Sequence, residues 1–323
     1  MDTIGHCTPS LSTATRRLIA RVPGALTILD VAPDGKSALV STGAGWYGIV
    51  AANRGETHEQ NLDLYGRTRV MGLSADGKWL LALEDREVGQ GTYLLSTDGQ
   101  QTIRLGDDPG IGLSPDGQWV LTIPKSSPSR LVLMPTSAGT ARDVPIPPQL
   151  EPGDAPPARW SADGRRLFAV FTERGRGARS ARFYMREEDQ PWQPVTPEGI
   201  AGPYAVSPDG LFIAAGDGTG TVTLYPTGGG APRQLAGERG LPFSWSADGR
   251  WLFLRSSLHD MPLILYRREL VSGRVERWWN VAPADLSGIV GPVGMPWISN
   301  DGNFIVYGYA RALNDLYLAQ GLR

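Results

Sequence analysis

Seven carboxylates recur in one short phrase: Asp34, Asp76, Asp116, Asp163, Asp209, Asp248 and Asp301, each followed directly by a glycine, at Gly35, Gly77, Gly117, Gly164, Gly210, Gly249 and Gly302. Carboxylates in pairs can do acid/base work, and clusters of them can hold calcium. Either chemistry needs two or more to converge, whereas an even repeat spreads its members around a ring. The aspartates are therefore read as turn residues. An Asp side chain accepts from backbone N–H groups two residues on, and Gly supplies the positive φ that closes a tight turn.

The remaining chemistry is sparse. Three histidines (His6, His58, His259) and the single Cys7 offer no set at metal-ligand spacing, so neither a metal nor a cofactor is expected. Gly35-Lys36-Ser37 looks like the end of a phosphate-binding loop, but Asp30 stands where that loop needs its first glycine, and a strand follows in place of a helix. Gly112-Leu113-Ser114-Pro115-Asp116 lacks the last glycine of a nucleophile elbow. The densest basic group is Arg174, Arg176 and Arg179, with glycines between. It could anchor a carboxylate, a phosphate or an acidic peptide. As a solvated hairpin tip it would instead face the acidic stretch from Glu84 to Glu87. Arg86, His259 and Arg311 fall in loops of the same kind and complete the candidate binding set. Trp160, Trp245 and Trp297 precede three of the turns and are read as packing residues.

The elements that position these residues follow from the flanks of each turn. The repeated aspartates lie 39 to 53 residues apart. Each turn joins two short apolar runs, as in Arg69-Val70-Met71-Gly72-Leu73 before Asp76 and Trp79-Leu80-Leu81-Ala82-Leu83 after it. Their length and their β-branched and aromatic content favour strands. A third run follows a variable loop, as in Leu131-Val132-Leu133-Met134, and a more polar fourth closes the unit, as in Gln101-Thr102-Ile103-Arg104-Leu105. Four antiparallel strands per unit make one propeller blade. The expected fold is all-β: a seven-bladed β-propeller of four-stranded antiparallel blades over residues 16–323, behind a polar leader at 1–15. The last unit is one strand short, and the run 16–22 is expected to close the ring as the outer strand of blade seven. Binding is expected on the face opposite the Asp-Gly turns, where the loops vary most.

Composition agrees. With 41 Gly and 26 Pro among 323 residues, a mostly helical chain is disfavoured. A net charge of -2 supplies no basic field for nucleic acid or anionic lipid. Neither a secretory signal nor an apolar run of membrane-spanning length is read. The expectation is a monomer without membrane insertion, cytoplasmic unless it belongs to a membrane-anchored parent.

The phrases Ser114-Pro115-Asp116-Gly117 and Ser207-Pro208-Asp209-Gly210, each leading into a hydrophobic strand, resemble the TolB-like, WD-repeat-like propeller repeat. The type member of that family has six blades. Arg21-Val22-Pro23-Gly24, Leu131-Val132-Leu133-Met134-Pro135-Thr136 and the closing Asp315 to Arg323 are similar to the propeller appended to bacterial eukaryotic-like serine/threonine kinases. That resemblance implies a sensory or interaction domain. The chain itself holds no His-Arg-Asp loop and no Asp-Phe-Gly. The expected function is a non-catalytic binding scaffold or sensor for a protein or small ligand. The alternative is a lactonase- or lyase-like propeller enzyme with its site in the central channel.

Overall fold

The computed structural model describes residues 25–321, except 57, 86–89, 153–156, 201, 218 and 238. Six of the seven turns share one construction. A Ser two positions before the Asp donates its hydroxyl to that carboxylate: Ser74, Ser114, Ser161, Ser207 and Ser246 do so at 2.5 to 2.7 Å, and Ser299 closes the same contact onto Asp301. The same hydroxyl accepts the backbone N–H five residues on, at 2.9 to 3.0 Å. Each Asp also accepts the N–H two residues on. The Gly takes φ between 67° and 74° at all seven turns. Six residues thus satisfy several of their own polar groups, which suits a turn that must sit at the edge of a packed sheet.

Each turn joins the first two strands of its unit, and in units two, three, five and six these belong to a four-stranded antiparallel sheet. Named after their units, blade two holds Thr68–Leu73, Trp79–Glu84, Gly91–Ser96 and Thr102–Gly106. Blade three holds Gly110–Leu113, Trp119–Thr122, Leu131–Pro135 and Arg142–Val144. Blade four pairs Leu150–Pro152 and Arg159–Trp160 with Arg166–Glu173, followed by Arg182–Glu187 and Gln193–Pro194. Blade five holds Tyr204–Val206, Phe212–Gly216, Val222–Pro226 and Arg233–Gln234, and blade six Leu241–Trp245, Trp251–Arg255, Leu263–Glu269 and Val275–Val281. A short 3₁₀ turn spans Gly177–Ser180. No helix among the described residues is long and apolar enough to cross a membrane.

The blades pack face to face, and the apolar clusters sit between neighbours: Phe168, Phe183 and Tyr204 join blades four and five, and Phe243, Phe253 and Tyr307 join blade six to the sheet beyond it. On the turn face, Ala75 donates its N–H to the Pro115 carbonyl, Ala162 to Pro208 and Ala247 to Asn300. This gives the alternation of Ala and Pro in the repeated phrase a physical reason. Pro has no N–H to donate, so it serves as the acceptor in two of these pairs, with Asn300 in the third.

The expected propeller of antiparallel blades is present, but among the described residues the seven turns fall on six sheets, not seven. Units one and seven share the sixth, with order Ala25–Val31, Ser37–Asn53, Phe304–Gln320, Ile289–Ile298, and with Glu59–Asn61 also on Ser37–Asn53. Its two central strands are 17 residues each and pair along their whole length, Ser37 with Gln320 through Asn53 with Phe304. Each therefore runs straight through the place where other blades loop back, at residues 43–47 and 310–314. Units one and seven have exchanged third strands. The inner halves, with Ile289–Ile298 and Glu59–Asn61, form one complete blade that closes the ring. The outer halves, with Ala25–Val31, form a three-stranded arm. Residues 48–61 thus close the blade of Ile289–Ile298. The run 16–22, expected to do so, lies outside the described residues.

Candidate functional site

The structure scatters the predicted binding residues. Arg174 reaches the Pro148 carbonyl at 3.3 Å and Glu151 at 3.8 Å. Arg176 is gripped by Glu173 at 2.7 Å and by both oxygens of Glu198 at 2.9 Å, and these carboxylates raise its pKa. Arg179 is exposed on the 3₁₀ turn. The acidic partners of this cluster are Glu151, Glu173 and Glu198, and Glu84 is not among them. Glu84 is buried, where it accepts from the N–H groups of Tyr65 and Arg67 and from the Thr68 hydroxyl at 2.7 Å. Arg86 lies outside the described residues. The turn aspartates, Asp34 through Asp301, sit in the tight turns that join their strands.

His259 and Arg311 come to the loop-rich mouth from two sides of Ile289–Ile298. His259 is exposed, and its carbonyl lies against Gly291. Arg311 donates to the Asp285 carboxylate at 2.7 Å and lies 5.5 Å from the Tyr309 ring centroid and 5.8 Å from that of Trp46. Asp285 is held at about 2, first by the Ser287 N–H and hydroxyl, then by Arg311. Beneath this pair Tyr307 keeps a buried hydroxyl without a partner, and burial pushes its pKa up. Burial likewise raises Asp63, although the Ile49 N–H donates to it. Gly48 makes room for the Tyr309 ring: a Cβ there would lie 2.3 Å from its Cζ. Nearby, Arg255 is 1% exposed, donates to the Gly294 carbonyl at 2.8 Å, and is lowered by burial to about 10.

One residue that sequence reasoning passed over lies inside the ring. The guanidinium of Arg159 sits 4.1 Å from the Trp297 ring centroid and 5.4 Å from that of Tyr204, whose hydroxyl donates to the Pro157 carbonyl at 2.7 Å. Its Nε is buried with no hydrogen-bond partner, and burial lowers its pKa. A signal existed in the sequence. Aligned on the turn aspartates of units two to seven, this position reads Gly72, Gly112, Arg159, Ala205, Ser244 and Trp297: two large side chains among small ones. Of the three tryptophans read as packing residues, Trp245 is buried in a cluster and Trp160 packs against one, while Trp297 both packs and carries Arg159.

The turn face has grooves of its own between blades. One of about 450 Å³ lies between blades three and four, with Trp119, Trp160, Arg142, Arg165 and Arg186 among its walls. A second, of about 530 Å³, lies between the closing sheet and blade two.

No protein-family model matches the sequence, and no curated protein matches it. Solved structures do resemble the fold. A structure assigned as TolB from Agrobacterium tumefaciens superposes with a TM-score of 0.55 at 18% identity, covering 84% of this chain and 99% of that one. The fold is that of a TolB-like β-propeller. A chain of the nidogen/laminin complex superposes with a TM-score of 0.50 at 11% identity, over 73% of this chain and 94% of that one. At these identities the TolB-like likeness concerns architecture alone.

Proposed function

We propose that this TolB-like propeller is a non-catalytic binding scaffold, taking a protein or small ligand at the loop-rich face. The observation behind this reading is the fate of the repeated carboxylates. In six turns the Asp is engaged by a Ser hydroxyl and a backbone N–H, so the repeated carboxylates serve the scaffold. The loop-face arginines differ. Arg174 and Arg176 are exposed and paired with carboxylates on the surface, and such pairs are worth little in water. An acidic partner can displace them at small cost, which suits a recognition surface.

The test is metal content by mass spectrometry on protein purified without chelator, with a binding screen on Arg176→Glu beside the parent chain. A scaffold carries no stoichiometric metal, and its partner is lost in the charge reversal. A stoichiometric divalent metal would overturn the reading in favour of a propeller lactonase or lyase. Attachment to a kinase, as a sensor, is tested by the reading frame that encodes the chain: a kinase module upstream supports it.

A further inference from the structure

The inner strands form a closed ring. Ile289–Ile298 touches Thr68–Leu73, which touches Gly110–Leu113, which touches Arg159–Trp160; on the other side Ile289–Ile298 touches Leu241–Trp245, which touches Tyr204–Val206. Tyr204 meets blade four through Arg159 and Pro157. Arg159 and Trp297 therefore sit on opposite strands of a six-membered ring, and their 4.1 Å contact crosses the channel. Among the described residues no carboxylate pairs with this guanidinium. A largely buried cation without a counter-charge is costly. Aromatic faces offset part of that cost but do not satisfy the N–H groups, which form a planar fork suited to two oxygens.

We infer that the channel holds an anion-binding site in which Arg159 grips a carboxylate or phosphate group, with Trp297 and Tyr204 as its walls. It is separate from the loop-face arginines and stands or falls apart from them. An anion there supplies the missing acceptor, and the Tyr204 hydroxyl, tied to Pro157, keeps its ring in place under the guanidinium.

The test is thermal melting and calorimetric titration of the whole chain with inorganic phosphate, succinate and, at matched ionic strength, chloride. Phosphate or succinate should raise Tm in proportion to the logarithm of its concentration once above Kd, with chloride much weaker. Preference between the first two tells phosphate from carboxylate chemistry. Arg159→Met should abolish the shift, and Arg159→Lys, which keeps charge but not the fork, should weaken binding about tenfold. Should Arg159→Met fail to fold, the lysine variant decides. Equal shifts with chloride, no shift in the parent chain, or unchanged binding in the variants would each overturn the site.

Discussion

Blades two to six and the arm are built from the same repeated phrase, yet one set is packed and the other is not. In blade two the third strand carries Leu94 and Leu95, each at 3% exposure. In the arm, Leu316 and Leu318 of the equivalent third strand are 62% and 61% exposed. The local pattern is alike, so the difference comes from what lies on either side. A blade buries both faces because neighbours cover them, while the arm projects from the ring where units one and seven have exchanged strands. The turn differs too. Unit one has Ala32 where six units have Ser, so among the described residues Asp34 accepts only the Lys36 N–H. Nor does Pro33 receive an inter-turn hydrogen bond among the described residues.

Truncating a buried side chain should separate the two regions most sharply. Leu121→Ala, at a fully buried position between blades, should cost about 2 to 5 kcal/mol. Leu316→Ala in the arm should stay within about 0.5 kcal/mol. Denaturant midpoints at constant slope check both, and equal losses would mean that the arm is packed in solution.

Backbone strain comes next. Gly117 has φ 71°, and a Cβ added there would meet its neighbours only at ordinary van der Waals distances, so Gly117→Ala should cost about 1 kcal/mol from conformation alone. Gly302→Ala should cost more, since its Cβ would lie 3.0 Å from the Phe253 ring. Comparing the two Tm losses isolates strain from crowding.

The hydroxyl of the turn has a similar but smaller role. Ser114→Ala should cost about 1 kcal/mol, since the partly buried Trp119 N–H loses its acceptor. The reverse change in the arm, Ala32→Ser, should add a few tenths of a kcal/mol and slow hydrogen exchange around Lys36. An unchanged exchange rate would show that the hydroxyl does not close this turn.

The smallest expected effect is on acid stability. The Ser hydroxyls hold Asp163, Asp248 and Asp301 below the usual carboxylate range. A depressed folded pKa contributes stability above the unfolded value, about 3.9, and loses it as pH falls through the folded value. Tm should therefore decline below about pH 4, and less steeply in Ser161→Ala. These carboxylates are mostly solvent-exposed, so the difference will be small. Parallel pH profiles for the two proteins would remove the explanation.

Much of this was legible in the sequence, and the boundary is physical. Asp163, Gly164 and the strands beside them could be read because the hydrogen bonds of Ser161 and Asp163 that close the turn all fall within five residues. The all-β propeller followed from repeating that unit. The role of Ser161 was within reach by the same logic and was passed over. The partners of Arg176 were not readable, because Glu198 arrives from the far side of its blade.

The sequence by itself determined the repeated unit, its turn chemistry and the propeller class, all of which rest on short-range hydrogen bonds and strand periodicity. Only the tertiary structure decided how seven units share six sheets and which side chains meet across the ring. Pairing Ser37–Asn53 with Phe304–Gln320 joins residues from opposite ends of the chain, and Arg159 meets Trp297 only because ring closure sets their strands face to face. Such contacts depend on closure, which no local pattern encodes.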